Sequence, residues 1–198
     1  MVKLKSSHAI PIALVLLLVI VLNGRYLWAH ASFAFQKPAT PVAGFVVPGD
    51  SRSRTEPDTV RIDRLGITAP IKYVAASTTE EGFQIALRDG VVHFPGTALP
   101  GEPGNVYIFG HSSDYSWSKG NYKTVFALLT KAKAGDEIIV SGHDGTAYTY
   151  VVTGTKVVGP KDTHVLDQQG KTKKLLTLQT SYPLGTALKR FLVLAELK

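Results

Sequence analysis

Two side chains that could support acyl-transfer chemistry lie in one stretch near the C-terminus, residues 175–194. The stretch reads LLTLQTSYPLGTALKRFLVL, in which two apolar runs flank a polar connection marked by Pro183 and Gly185. Two strands joined by this loop would bring Ser181 and Arg190 to the same rim. A permanent guanidinium cation beside a hydroxyl could stabilise an oxyanion there. On these residues alone, an ordinary hairpin with a surface Ser and Arg is the favoured interpretation.

A third candidate is His111, which follows the short apolar run 105–110. A His at a strand end beside polar residues is well placed for proton transfer, because an unperturbed imidazole titrates at a pH of about 6.5. The chain contains no Cys. The sequence therefore excludes a disulfide framework, a thiolate metal site and a thiol nucleophile.

Taken together, these segments resemble sortases, the membrane-anchored cysteine transpeptidases of Gram-positive-type cell envelopes. The run TLQTS at 177–181 is similar to the TLxTC signature of the family, with Ser181 where the family has its nucleophilic Cys. Arg190 falls where sortases carry their active-site Arg. The segment 90–113 resembles the family's approach to its catalytic His, which would be His111. The resemblance runs from about residue 61 to the C-terminus in the family's order and spacing.

The resemblance implies an enzyme that cleaves a Leu-Pro-x-Thr-Gly-like sorting signal through an acyl-enzyme and transfers the protein to a cell-wall or pilin amine. Residue 181 would attack the carbonyl, His111 would protonate the departing amine and activate the incoming one, and Arg190 would support the oxyanion. Thr180 would shape the nucleophile pocket. His93 would contact the substrate, although a packed, hydrogen-bonded His is the commoner outcome. No cofactor is implied.

Ser181 departs from the family pattern at the nucleophile itself. A thiol with a pKa of about 8.5 can become a thiolate beside an imidazolium, whereas a hydroxyl needs a base during the attack. We therefore expect an inactive or weakly active form, and we favour an engineered Cys-to-Ser replacement over a natural serine form. Two alternatives stay open. One is a serine acyl hydrolase, which needs a carboxylate such as Asp89 or Asp114 at His111. The other is a non-catalytic peptide-binding module.

The N-terminal region is predicted to anchor the protein in a membrane. Residues 1–8 carry two Lys and form a cytoplasmic N-terminus, and residues 9–28 are apolar over about the length that crosses a hydrocarbon core. A cleaved signal peptide is the rival interpretation, because 29–31 reads Ala-His-Ala. Residues 29–58 are rich in Pro and small residues and predict an extracytoplasmic tether. Residues 59–198 would then be an extracellular catalytic domain.

The charge of the chain is +7 at pH 7, which would suit an anionic partner such as phospholipid or an acidic wall polymer. Lys and Arg are scattered, and no nucleic-acid-binding motif accompanies them, so we expect no nucleic-acid partner. The spacing of the histidines fits no metal cluster, and we expect no metal. A calcium site among loop carboxylates stays open, although the loop 161–173 is basic.

Many short strand-like runs separated by turn residues, with one helix pattern, predict a mainly β protein built as a closed or nearly closed antiparallel barrel. The resemblance implies an eight-stranded sortase-like barrel with one or two short helices, preceded by the N-terminal transmembrane helix. The helix is predicted at 121–133, with a helical turn near 85–88. The strands are predicted at 60–67, 69–75, 105–110, 137–140, 146–152, 155–159, 175–180 and 191–197.

Overall fold

The computed structural model describes residues 56–113 and 119–198, together with 14, 28 and 30–32. The elements of the domain are eight strands, one short α-helix and three 3₁₀ turns. The strands are β1 (Thr59–Ile62), β2 (Ile67–Tyr73), β3 (Val91–His93), β4 (Gly104–Phe109), β5 (Glu137–Ser141), β6 (Ala147–Val158), β7 (Lys174–Tyr182) and β8 (Lys189–Leu197). The helix is α1 (Glu80–Ala86), and the 3₁₀ turns are Asp63–Leu65, Leu129–Lys131 and His164–Leu166.

The strands close into a barrel in the order β1-β2-β3-β4-β7-β8-β6-β5, with β5 pairing back onto β1. This confirms the predicted mainly β, closed eight-stranded barrel. The expectation of purely antiparallel pairing was wrong, because β2 pairs with β3 and β4 pairs with β7 in parallel. A parallel pair needs a crossover connection. Helix α1 lies in the first crossover, and β5 and β6 lie in the second.

The core fills the interior of the barrel with alternate side chains from the strands. In β7, Leu176 and Leu178 are buried in the core cluster. Because side chains alternate between the two faces of a strand, Thr177, Gln179 and Ser181 point to the outer face. The outer face of β7 is therefore the polar one, and it carries the predicted nucleophile position.

Two predicted strand boundaries were wrong. The predicted strand 60–67 is broken by the 3₁₀ turn, since Gly66 has a φ of 62° and the chain reverses so that Ile62 pairs with Ile67. The predicted strands 146–152 and 155–159 form the single strand β6, with an irregularity between Val152 and Gly154. Both parts of β6 pair with β8, which keeps them in one element.

The predicted helix at 121–133 was also wrong, because the segment forms a series of tight turns. Its amides bond to carbonyls three residues back, as from Val125 to Tyr122 at 3.2 Å and from Leu129 to Phe126 at 3.1 Å. The amide of Phe126 donates instead to the carbonyl of His111, at 2.9 Å. This tertiary bond takes the donor that an α-helix would use internally.

The helical turn expected near 85–88 is the end of a longer element, since α1 begins at Glu80. Thr79 caps it by accepting a hydrogen bond from the amide of Gly82 at 3.3 Å. The side chain of Phe83 on this helix packs against the outside of the barrel.

The predicted membrane segment 9–28 and tether 29–58 lie largely outside the described residues, and both stay predictions. None of the helices in the part of the chain that the structure describes has both the length and the hydrophobicity of a transmembrane span.

Candidate active site

Three strand ends meet at one end of the barrel, where β4 and β7 finish and β8 begins. Phe109 of β4 lies opposite Gln179 of the parallel strand β7, and Ser181 lies directly opposite Arg190 of β8. His111 follows β4 by two residues, as Ser181 follows Gln179. Neighbouring strands lie about 4.8 Å apart. The structure therefore brings His111, Ser181 and Arg190 to the same end of the barrel, with the strand of Ser181 between the other two.

The end of β4 is held against β7 from inside the barrel. The hydroxyl of Thr180, which is 1% exposed, donates to the carbonyl of Gly110 at 2.9 Å. The amide of Gly110 donates to the carbonyl of Gln179 at 3.1 Å. A Cβ on Gly110 would lie 2.8 Å from Phe126 and 2.9 Å from Val91, so the close approach needs glycine. These contacts set the position of the residue that follows. We call residues 110–111, 180–181 and 190 the site rim.

Two further hydrogen bonds hold the segment around His111. Its carbonyl accepts from the amide of Phe126 at 2.9 Å. Two residues later, the hydroxyl of Ser113 accepts from the amide of Gly185 at 3.1 Å. Gly185 belongs to the loop between β7 and β8, so the segment after the candidate base is bonded to the loop after the candidate nucleophile. The half-buried His111 is therefore held in place through its main chain.

Arg190 is half-buried on the outer face of β8, the same face as Ser181, because directly paired residues share a face. Its Nη1 donates to the carbonyls of Ala187 at 2.9 Å and Lys189 at 3.1 Å. A guanidinium carries five N–H donors in a planar fork. Among the described residues, Arg190 bonds through Nη1, which leaves the Nε and Nη2 donors for a bound carbonyl or oxyanion.

The outer face below the site rim carries a hydrogen bond that sequence reasoning missed. The hydroxyl of Tyr107 donates to Oε1 of Gln179 at 2.5 Å. Burial raises the pKa of Tyr107, and the positive charge of Arg190 partly opposes that rise. Alternation of Thr177, Gln179 and Ser181 with buried residues was the signal in the sequence that could have marked Gln179 as part of the site.

An aromatic cluster continues this face toward helix α1. The rings of Phe83 and Phe94 are stacked with centroids 6.0 Å apart, and Phe83 meets Phe109 edge-on at 5.6 Å. Phe109 lies two residues before His111 on β4. The site rim thus adjoins a half-buried apolar surface.

His93 lies apart from the outer face. It pairs with Ile108, a core residue, and is 5% exposed. Its Nε2 lies 2.9 Å from the carbonyl of Ala98 and 3.1 Å from the hydroxyl of Thr97. Burial lowers the pKa of His93, and the hydrogen bond with Ala98 partly opposes that decrease. The structure describes a packed, hydrogen-bonded histidine, and a direct contact with substrate stays a prediction.

The carboxylate required by the serine hydrolase alternative also stays a prediction. Asp89 is exposed just after helix α1, where its amide donates to the carbonyl of Ala86, and Asp114 lies outside the described residues. Among the residues with described positions, no three His, Asp or Glu side chains are grouped as a metal site requires.

Known proteins of one family resemble the chain in sequence. The sequence model described as Sortase domain matches residues 60–198. Sortase D of Bacillus subtilis (strain 168) is 29% identical over 110 residues, which cover 54% of this chain and 50% of that protein. The chain therefore spans about half the length of this curated relative.

Solved structures resemble the barrel as well. A Clostridium perfringens sortase D5 transpeptidase is 28% identical with a TM-score of 0.57, over 71% of this chain and 77% of that one. Sortase E from Streptomyces avermitilis is 29% identical with a TM-score of 0.55, over 72% of this chain and 88% of that one.

Proposed function

Since the chain belongs to the sortase family, we propose that it is a sortase-type transpeptidase whose nucleophile position carries Ser in place of Cys. Its substrate is a surface protein with a Leu-Pro-x-Thr-Gly-like sorting signal, and its acceptor is an amine of a wall precursor or a pilin. The order of side chains along the site rim supports this proposal most strongly. Ser181 lies directly opposite Arg190 and next to the end of β4 that leads to His111.

With Cys at position 181, each step follows from this order. The thiolate attacks the carbonyl carbon of the scissile peptide bond, and Arg190 stabilises the negative oxygen that forms. The C–N bond then breaks, and the departing amine takes a proton from His111. In the second half, His111 accepts a proton from the incoming amine, which attacks the thioester; the C–S bond breaks and releases the thiolate, so the imidazolium and thiolate of the starting state are restored.

With Ser at position 181, the first step loses its preformed anion. A hydroxyl must give up its proton during the attack, so His111 has to be neutral at the start. We therefore expect this form to bind the sorting peptide and to turn it over weakly or not at all.

The same proposal places the domain outside the cell. Residues 9–28 serve as a single-pass membrane anchor and residues 29–58 as a tether, with the N-terminus in the cytoplasm. The supporting observations are the apolar composition of the first segment, the Lys residues before it and the Pro-rich composition of the second.

Comparing the chain with its Ser181→Cys variant tests the function. Both are incubated with a fluorescein-labelled peptide containing Leu-Pro-Glu-Thr-Gly and with triglycine as the amine acceptor, and products are resolved by chromatography and mass. We expect the Cys form to make the transpeptidation product about 10²–10⁴-fold faster, the range that positioned proton transfer contributes. Ser77→Cys, with a thiol at an exposed loop position, is the control and should stay inactive.

The same measurement separates the alternatives. Hydrolysis of the peptide by the unaltered chain, lost in Ser181→Ala, would replace the proposal with a serine acyl hydrolase. Tight binding of the peptide with no turnover by the unaltered chain or by Ser181→Cys would favour a peptide-binding module instead.

A further inference from the structure

Gln179 stands on the outer face of β7, two residues before Ser181. Two residues along a strand span about 6.6 Å, and both side chains point to the same side. Gln179 is half-buried, whereas its inward neighbours Leu178 and Thr180 are buried in the barrel. A ligand whose carbonyl reaches Ser181 and whose chain extends along β7 therefore passes over Gln179.

The amide of Gln179 has one orientation fixed by a neighbour. Its Oε1 accepts the hydrogen bond from the hydroxyl of Tyr107 at 2.5 Å. The nitrogen Nε2 then faces away from Tyr107 with two N–H donors. Within the described part of the chain, this nitrogen makes no hydrogen bond, and it is not among the buried atoms that lack a partner. The nitrogen is thus at least partly accessible to solvent.

Tyr107 stabilises this orientation of the Gln179 amide. Tyr107 is only 4% exposed, so its hydroxyl would be left buried without a partner if Gln179 turned away. Leaving a buried polar group unpaired is costly. The positive charge of Arg190 also acts on the Tyr107 hydroxyl, which places all three groups in one electrostatic environment.

From this arrangement, and resting on the proposed function, we infer that Gln179 binds substrate by donating a hydrogen bond from Nε2 to a backbone carbonyl of the sorting peptide, and that Tyr107 positions it. The spacing supports the inference. An extended peptide also advances about 6.6 Å in two residues. When its scissile carbonyl meets Ser181, a carbonyl two residues away lies above Gln179. The contact involves only the main chain of the peptide, so it adds affinity for extended peptides whatever side chain they carry at that residue.

Peptide binding to the chain with Ser181 tests this, because that form is expected to bind without turnover. Fluorescence anisotropy measures the Kd of the fluorescein-labelled Leu-Pro-Glu-Thr-Gly peptide. Gln179→Glu keeps an acceptor for Tyr107 and removes the donors, and Gln179→Met removes both. We expect both to raise Kd about tenfold, which corresponds to about 1.4 kcal/mol. Gln84→Glu makes the same charge change on the exposed face of α1 and should leave Kd unchanged.

The Ser181→Cys form adds a kinetic readout. There, Gln179→Glu and Gln179→Met should raise KM about tenfold and leave kcat within a factor of about two, since the contact holds the peptide in ground and transition states alike. Melting temperatures within a few degrees of the unaltered protein would show that the changes do not act through unfolding.

The role of Tyr107 is tested with a double-mutant cycle. Tyr107→Phe alone should raise Kd severalfold, and it should have no further effect in the Gln179→Met background. An equal effect in both backgrounds would show that Tyr107 acts independently of Gln179 and would overturn its positioning role.

The two proposals fail in different ways. If the unaltered chain binds the peptide and both Gln179 variants bind within twofold of it, the inference about Gln179 is overturned and the proposed function stands. If the unaltered chain does not bind the peptide and Ser181→Cys makes no product, both are overturned.

Discussion

The two ends of the barrel gather similar side chains and use them differently. At the end opposite the site rim, the ring of Tyr73 lies 5.0 Å from His93 and 4.4 Å from His143. Nδ1 of His143 lies 2.8 Å from a carboxylate oxygen of Asp58. The buried hydroxyl of Ser141 bonds to the backbone amide of Thr59 at 2.9 Å. We call these six residues the distal end.

At the site rim, by contrast, Ser181 and Arg190 lie on the outer face of the barrel. Ser181, His111 and Arg190 are half-buried, and their positions are set mainly by backbone pairing and by the inward hydroxyl of Thr180. The difference teaches that residue type alone does not mark a site. At the distal end, buried side chains such as Ser141 and His93 bond to the backbone around them, whereas Ser181 and Arg190 lie on the outer face, where they can meet a ligand.

The largest expected effect comes from removing the cation at the site rim. In the Ser181→Cys form, Arg190→Ala should lower kcat/KM for the sorting peptide by about 10²–10³-fold, the usual result of losing one oxyanion donor. Arg190→Lys should recover only part of this, since a lysine lacks the planar fork. The neighbouring Lys189→Ala is the control. A full rate in Arg190→Ala would show that Arg190 does not stabilise the oxyanion.

Substitutions at the distal end should lower the stability of the protein and leave its activity unchanged. Ser141 is fully buried, and its hydroxyl bonds to Thr59 and to the carbonyl of Glu56. Ser141→Ala removes the acceptor of the Thr59 amide and one of two donors to the Glu56 carbonyl, which keeps its bond from the Thr59 hydroxyl, so the free energy of unfolding should fall by about 1–3 kcal/mol. Urea titration measures the loss. The folded double variant Ser141→Ala/Ser181→Cys should turn over the peptide as fast as Ser181→Cys does. A large drop in its rate would show that the distal end also affects activity.

Substituting Thr180 should change both stability and activity, because Thr180 is buried and also supports the site rim. Thr180→Val removes the donor to the carbonyl of Gly110 and should lower the unfolding free energy by about 1–2 kcal/mol. It should also slow turnover in the Ser181→Cys form, since the end of β4 is then free to shift relative to Ser181. Thr180→Ser keeps the hydroxyl and should restore the rate. Unchanged turnover in Thr180→Val would assign this bond to stability alone.

The smallest effect is a pH dependence of stability at His93. Burial lowers its pKa in the folded protein, whereas the unfolded chain takes up the proton at about pH 6.5. The unfolded state therefore binds more protons as the pH falls below about 6.5, and the unfolding free energy declines toward the lowered pKa of the folded state. Urea titrations at several pH values should show a shallower decline for His93→Gln. Equal slopes would mean that His93 does not titrate on unfolding.

Much of the fold followed from consecutive residues. Short apolar runs bounded by turn residues predicted the strands that became β4, β5, β7 and β8, and polar breaks at regular spacing predicted the closed barrel. The motif around residues 177–181, with Arg190 and His111, named the candidate site. Their roles in catalysis stay predictions until the variants are measured.

The missed features all depend on partners far away in the chain. The segment 121–133 has helical spacing, but the amide of Phe126 bonds to His111. Gln179 was not predicted as a site residue, and its hydrogen bond with Tyr107 forms only because β4 pairs with β7. No local pattern specifies these partners, because each is selected only when the strands pair.

The sequence by itself determined which residues alternate, where the chain turns and which side chains are able to carry out acyl transfer. Only the tertiary structure decided that Ser181 stands between β4 and Arg190 and that the hydroxyl of Tyr107 orients Gln179. The physical reason is the separation along the sequence between the residues that interact. Strand period and turn geometry arise from neighbouring residues, whereas the contact between Tyr107 and Gln179 joins positions 72 residues apart and exists only through the parallel pairing of β4 with β7.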